Sequence, residues 1–170
     1  LKAKNILVIF FYENYEASIS QFQEMCERAG KDIRICIEFG EFTNIKSLAK
    51  AKEFISLVNH PSAGILIDLM HLNRSGDTLP DLKDELYPYI QGCDFWQDSS
   101  TMTGMDYIEA AVDSRCCLGD GEARTNDINL MCQSDKDVSL EIRSIYLRQR
   151  YPDPFKRAKA IFEGCNRGQF

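Results

Sequence analysis

Gly64-Ile65-Leu66-Ile67-Asp68-Leu69-Met70-His71 is the stretch whose reading decides the fold. A short run, apolar at every position and interrupted by one acid near its end, is a strand buried on both faces, because a strand with one wet face would alternate. The flanking sequence repeats the same unit. Upstream, Ile33 to Phe39 is a second apolar run, and between the two runs Leu48, Ala51, Ile55 and Val58 fall on one face of a helix that stops before Pro61. Further upstream, Ile6 to Phe11 reads as a strand, followed by Ile19, Phe22, Cys26 and Ala29 at helical spacing and closed by Gly30. Downstream, Leu82, Leu86 and Tyr89 predict a helix, Gly92 to Gln97 a fourth strand, and Val138 to Arg143 a fifth, after a longer insertion from Ser99 to Glu122. A last helix starts near Pro152 and presents Phe155, Ala158 and Phe162.

Strands separated by helices and apolar on both sides predict an α/β protein with a parallel, helix-covered sheet. Strand starts near 6, 33, 64, 92 and 138 give units of about 27 to 46 residues, the allowance of a (β/α)₈ TIM barrel of about 250 residues. Five units fit, so residues 1–170 are expected to form one domain, the later part of a barrel. The first residue, Leu1, leads almost directly into a strand, which fits a portion of something longer. The competing architecture is an open doubly wound sheet, although no G-x-G-x-x-G follows the first strand.

The chain has 44% hydrophobic and 27% charged residues and a net charge of -6. These are globular proportions, and the acidity argues against phosphate-backbone binding and against a polybasic membrane anchor. No run approaches the roughly 20 apolar residues of a bilayer span, and no secretory signal is visible. The seven cysteines are odd in number, include the adjacent Cys116 and Cys117, and lack C-x-x-C spacing. They read as reduced thiols of a soluble cytoplasmic protein rather than as a disulfide frame or zinc site.

The informative residues are acids at strand carboxyl ends, where parallel α/β proteins build their sites. Glu38 ends Ile33-Arg34-Ile35-Cys36-Ile37, Asp68 follows Ile67, and Glu141 follows Val138-Ser139-Leu140. Any one such acid is explained by a helix cap or an arginine partner, but three in phase point to a common centre. Converging carboxylates repel and raise one another's pKa, so they carry a cation or share protons. Oxygen-rich ligation favours magnesium or manganese, and one histidine in the shell leaves cobalt or zinc open. His71, three residues after Asp68, is placed to contact substrate oxygens, whereas His60 before Pro61 reads as a turn residue. Arg115 can clamp an anionic or hydroxylated substrate, and Gly119-Asp120-Gly121 permits a tight loop near a ligand. Arg74-Ser75-Gly76 reads either as a loop at the mouth of the site or as the start of the next connection.

These residues, in this order, resemble the sugar phosphate isomerase/epimerase family of xylose-isomerase-like TIM barrels. That group also includes inosose dehydratases, ketose epimerases, hydroxypyruvate isomerases and apurinic endonucleases. The resemblance rests on Phe22-Gln23-Glu24-Met25-Cys26-Glu27-Arg28-Ala29, on Ile37-Glu38-Phe39 with Phe42-Thr43, and on Ile67-Asp68-Leu69-Met70-His71 running into Arg74-Ser75-Gly76. It continues through Arg115 with the Gly-Asp-Gly-Glu loop to Ser139-Leu140-Glu141-Ile142-Arg143-Ser144. It spans nearly the whole chain and corresponds to the family's fourth through eighth strands. It implies that Glu38, Asp68 and Glu141 ligate one divalent ion, that Glu38 and Glu141 are also the acid/base pair, and that His71 and Arg115 contact substrate. The family's fourth ligand, commonly histidine, has no counterpart in Gly92-Cys93-Asp94-Phe95-Trp96-Gln97-Asp98, where Asp94 or Gln97 takes that place. Leu118 stands where proline is common in the family's loop.

The implied reaction is proton abstraction beside a carbonyl of a sugar, sugar phosphate or related polyhydroxy compound, through an enediolate. Isomerisation, epimerisation and dehydration of an inosose-type substrate are all open to one such site. A second reading is a non-catalytic barrel remnant or sugar-binding module, motivated by the missing strands and histidine. A metal-dependent nuclease fits two histidines and an acidic chain poorly. The open strand edges of a partial barrel call for a homo-oligomer or an N-terminal segment that completes it.

Overall fold

The computed structural model describes residues 2–96 and 104–166. Five strands form one sheet: β1 (Asn5–Ile9), β2 (Arg34–Glu38), β3 (Ala63–Asp68), β4 (Tyr89–Gly92) and β7 (Asp137–Leu140). They lie side by side in chain order, and every pair is parallel. A doubly wound sheet would reverse its order at a switch point, and this one does not, so the architecture is a half-barrel of the (β/α) TIM type. β5 (Asp94–Phe95) and β6 (Arg115–Cys116) make a separate antiparallel pair. The helices are α1 (Tyr15–Ala29), α2 (Leu48–Val58), α3 (Leu69–Arg74), α4 (Gly104–Asp113), α5 (Thr125–Gln133), α6 (Ile145–Arg150) and α7 (Pro154–Cys165).

Local chemistry sets the boundaries of the first two helices. The Asn14 side chain accepts from Ala17 N to start α1, and Gly30 ends it at φ 73, a conformation that favours glycine. Ser47 caps α2, and Asn59 closes it in the left-handed region at φ 46.

Strand alternation then divides the sheet into two faces. Ile35, Ile37, Ile65, Ile67 and Ile90 point outward and pack with Phe22, Ala51, Phe54 and Leu69 in the main hydrophobic core. The rings of Phe10, Phe22 and Phe54 meet there at centroid distances of 5.4–5.8 Å. The alternate positions Cys36, Glu38, Leu66, Asp68 and Gln91 face the hollow of the half-barrel and are all buried. Register keeps that face in step, with Glu38 beside Leu66 and Asp68 beside Gln91. The sheet curves enough that Lys4, just before β1, reaches Asp137 of β7 at 3.9 Å although the two strands are its opposite edges.

The expected helix over Leu82, Leu86 and Tyr89 does not form. The helix after β3 begins at once with Leu69 and lasts six residues. The chain then returns through turns in which Asp81 accepts from Lys83 N and Asp84 from Leu86 N. Pro80 and Pro88 bracket this segment, and such side-chain turns compete successfully with helix. The fourth strand of the sheet lies earlier than the expected Gly92 to Gln97, at Tyr89–Gly92, and after Cys93 the residues Asp94–Phe95 pair with β6 instead. On α7, Phe155, Ala158 and Phe162 face outward, the two rings 85% and 64% exposed, while Cys165 is buried. Among the described residues no helix is long and apolar enough to cross a membrane.

Candidate metal centre

Glu38 and Asp68 are the last residues of adjacent parallel strands, and His71 lies in the first turn of the helix that Asp68 starts. One ligand atom from each of the three lies within 4.8 Å of the others. His71 Nε2 is 3.6 Å from Glu38 Oε1. Asp68 Oδ1 accepts from Met70 N at 2.9 Å and His71 N at 3.0 Å, so the carboxylate that faces the site also caps α3 and fixes the histidine's backbone. The Phe42 ring packs edge-on against the imidazole at 5.2 Å. Gly40 leaves room for it, since a Cβ there would approach His71 Nδ1 to 3.2 Å.

Burial and crowding set the charges. Burial first, then repulsion from Asp68 and Glu141, pushes the Glu38 carboxyl up to about 8. Burial likewise pushes His71 down to about 4, leaving a neutral imidazole with a free lone pair. Asp68 is fully buried, which opposes its ionisation, yet the Arg115 guanidinium and His71 hold it below its usual value. One ionised carboxylate, one carboxyl poised to lose a proton and one neutral imidazole are a donor set suited to a divalent ion. Gln91 adds to the fit. It is the register partner of Asp68, and its Oε1 is buried without a hydrogen-bond partner.

The remaining residues singled out in the sequence fall into distinct places. Arg115 is buried and donates from Nη1 to Asp68 Oδ2 at 2.6 Å and to Cys93 Sγ at 3.0 Å, and from Nε to Ala111 O at 2.9 Å. Its Nη2 lies 3.6 Å from Glu141 Oε2. Glu141, just beyond β7 and 28% exposed at its side chain, is therefore linked to Asp68 through Arg115, outside the Glu38–Asp68–His71 group. Burial raises its carboxyl, with Arg115 opposing.

Asp94 is turned elsewhere. Its carboxylate accepts from the backbone N–H groups of Phe95, Gly119, Gly121 and Ala123 at 2.8–3.0 Å, organising the Gly-Asp-Gly-Glu loop. Gly121 is required there, because a Cβ would come within 2.6 Å of Phe95 O. Gln97 lies outside the described residues. His60 accepts from Ser62 N at 3.1 Å, the turn role its position before Pro61 suggests. Sequence reasoning passed over Gln91 and Cys93. The signal for Gln91 was the strand period, which puts it on the same face as the acids of neighbouring strands.

A model of the xylose isomerase-like TIM barrel matches residues 7–129. No curated protein matches the chain. Among solved structures, the IOLI protein with a bound zinc atom superposes with a TM-score of 0.72 at 15% identity, over 95% of this chain and 61% of that one. The probable 3-DHS dehydratase AsbF of Bacillus anthracis gives a TM-score of 0.69 at 15% identity, over 97% of this chain and 64% of that one. A xylose isomerase domain containing protein from Salmonella typhimurium gives 0.67 at 14% identity, over 98% and 61%. The chain thus spans a little over three fifths of the length of these relatives. From its sequence match and its half-barrel alike, the chain belongs to the xylose isomerase-like TIM barrel family.

Proposed function

We propose that this chain carries the site of a divalent-metal-dependent isomerase or epimerase acting on a sugar, sugar phosphate or related polyhydroxy carbonyl compound. The observation that carries the reading is Glu38, a buried carboxyl with its pKa near neutrality, within ligand range of Asp68 and His71. An ion held by Glu38, Asp68 and His71 supplies Lewis-acid polarisation of a carbonyl and its neighbouring hydroxyl, with manganese or magnesium favoured and cobalt or zinc open. The zinc reported for the IOLI protein supports a divalent ion.

The chain's own residues supply the proton chemistry. Glu38, buried beside Asp68 and His71, acts as one member of the acid/base pair. Glu141 follows another strand, beside Arg115, and this separation from Glu38 in the sheet supports one carboxyl on each side of a substrate. One takes the proton from the carbon beside the carbonyl and the other returns it. Arg115 donates to substrate oxygen where negative charge develops. Return of the proton to the opposite face of the same carbon epimerises, and return to the neighbouring carbon isomerises. Loss of a β-hydroxyl instead dehydrates, an outcome supported by the probable dehydratase among the similar structures. The cysteine pattern supports a cytoplasmic enzyme. Open edges at β1 and β7 support closure by a second copy or a further segment.

Calorimetric titration of the purified chain with Mn²⁺ tests the reading. Binding of about one ion per chain that Glu38→Gln abolishes is the expected result. No binding at millimolar ion overturns it in favour of a sugar-binding module without catalysis.

A further inference from the structure

Arg74 closes α3, one helical turn beyond His71 and on the same face of the helix. Its guanidinium lies over two rings, 5.7 Å from the centroid of Phe95 and 5.7 Å from that of Tyr107. The rings attract its charge but leave its edge donors without an acceptor. Nε, Nη1 and Nη2 are all buried and none has a hydrogen-bond partner. This is the reverse of normal practice for arginine, whose donors form a fork matched to two oxygens of one anion.

Among the described residues, the carboxylates nearby have partners of their own. Asp68 is bonded to Arg115, and Asp127 to Arg124. The charge that acts on it most strongly is a second cation, Arg115, with Asp68 opposing. Phe95, over which Arg74 lies, is the cross-strand partner of Arg115 in the β5–β6 pair, and the two guanidinium groups repel each other. A cation kept from water beside another cation, with every donor unmet, lacks an anion. Phe95 is fully buried and Tyr107 only partly so, which puts the approach on the Tyr107 side.

We propose that Arg74 binds an oxyanion of the substrate, a carboxylate or a phosphate, one helical turn from the Glu38–Asp68–His71 group. The inference rests on the metal-site reading only for what lies at the substrate's other end. It narrows the substrate class to polyhydroxy carbonyl compounds with a terminal oxyanion, sugar acids or sugar phosphates, and gives α3 two tasks: His71 at the reacting end and Arg74 at the anchoring end.

The test uses the metal-free protein, so that it is independent of turnover and of ion binding. Inorganic phosphate and glycolate are each titrated by calorimetry and by thermal melting at constant ionic strength, into wild type, Arg74→Met and Arg74→Lys. Wild type is expected to bind at least one of the two saturably, and the tighter one identifies the source, phosphate for a sugar phosphate and glycolate for a sugar acid. Arg74→Met is expected to bind it about 10-fold more weakly or worse. Because it removes an unpaired buried charge, it should melt no lower than wild type in anion-free buffer. Should it fail to fold, Arg74→Lys decides: it keeps the charge but not the fork and should bind more weakly than wild type. Failure of both anions to bind wild type, or binding to a folded variant as tight as to wild type, overturns the proposal. Metal titration of wild type reports separately on the other reading, and a chain that binds phosphate through Arg74 but no metal would refute that reading alone.

Discussion

Arg115 Nη1 and Asp68 Oδ2 are 2.6 Å apart, both on buried side chains, and the other arm of the same guanidinium lies 3.6 Å from Glu141. A permanently charged group is thus fixed between two of the three acids that the sequence places at strand ends. Asp68 remains ionised without any bound ion, and the hollow is left with Glu38 as the acid whose charge is uncompensated.

Removing the guanidinium should be costly. Arg115→Met leaves Asp68 buried and unpaired, a loss of about 3–5 kcal/mol, to be read from urea denaturation. Wild-type stability in that variant would contradict the buried pairing.

Glu38 gives a pH signature. Its folded pKa of about 8 lies above the ordinary 4.5, so the folded chain binds its proton more tightly than the unfolded chain does. That contribution is complete below about pH 4.5 and is lost as pH rises through 8. His71 runs the other way: depressed to about 4, it contributes fully above 6.5 and loses its contribution as pH falls through 4. Glu38→Gln should therefore match wild type at pH 4 yet exceed it by about 4–5 kcal/mol at pH 9, in melts of the metal-free protein. Parallel stability curves for the two proteins would show that Glu38 does not titrate in this way.

His71 separates two roles. As a ligand, its replacement by alanine should weaken Mn²⁺ binding by about 100-fold, in the range that disruption of metal-site shells produces. As a substrate contact alone, it should leave ion affinity unchanged and raise KM. Calorimetry on His71→Ala distinguishes the two.

Asp94 should matter to stability and not to ion affinity. Asp94→Ala removes the acceptor of the partly buried N–H groups of Gly119, Gly121 and Ala123 and should cost about 1–3 kcal/mol. Gly121→Ala should cost a similar amount by collision with the Phe95 backbone. A Mn²⁺ affinity that falls in Asp94→Ala while its stability holds would reinstate Asp94 as a ligand.

Much of the fold was readable because local and tertiary signals agreed. The apolar runs at 33–39 and 64–70 contain the strands Arg34–Glu38 and Ala63–Asp68, although Leu69 and Met70 already belong to α3, and the caps at Gly30 and near Pro61 fall where the spacing put them. Glu38 and Asp68 converge because parallel register carries neighbouring strand ends to one rim. The failures come where one signal had two meanings. Leu82 and Leu86 have helical spacing, but Asp81 and Asp84 bind their own backbone first. Phe155 and Phe162 share a helix face, yet periodicity cannot say whether anything in the chain covers that face. Asp94 looked like any acid at a strand end, and three of its four backbone donors come from a loop 25 to 29 residues later, a contact no local pattern encodes.

The period-two alternation of β3 has a consequence for how such a molecule can change over generations. Ile65 and Ile67 hold the helical coat, while Leu66 and Asp68, one step away in sequence, line the hollow. Substitutions that retune which compound is handled can accumulate at every second position without loosening the coat, and substitutions in the coat can drift without altering the chemistry. A scaffold partitioned in this way is free to acquire new activities without having to be refolded around each one.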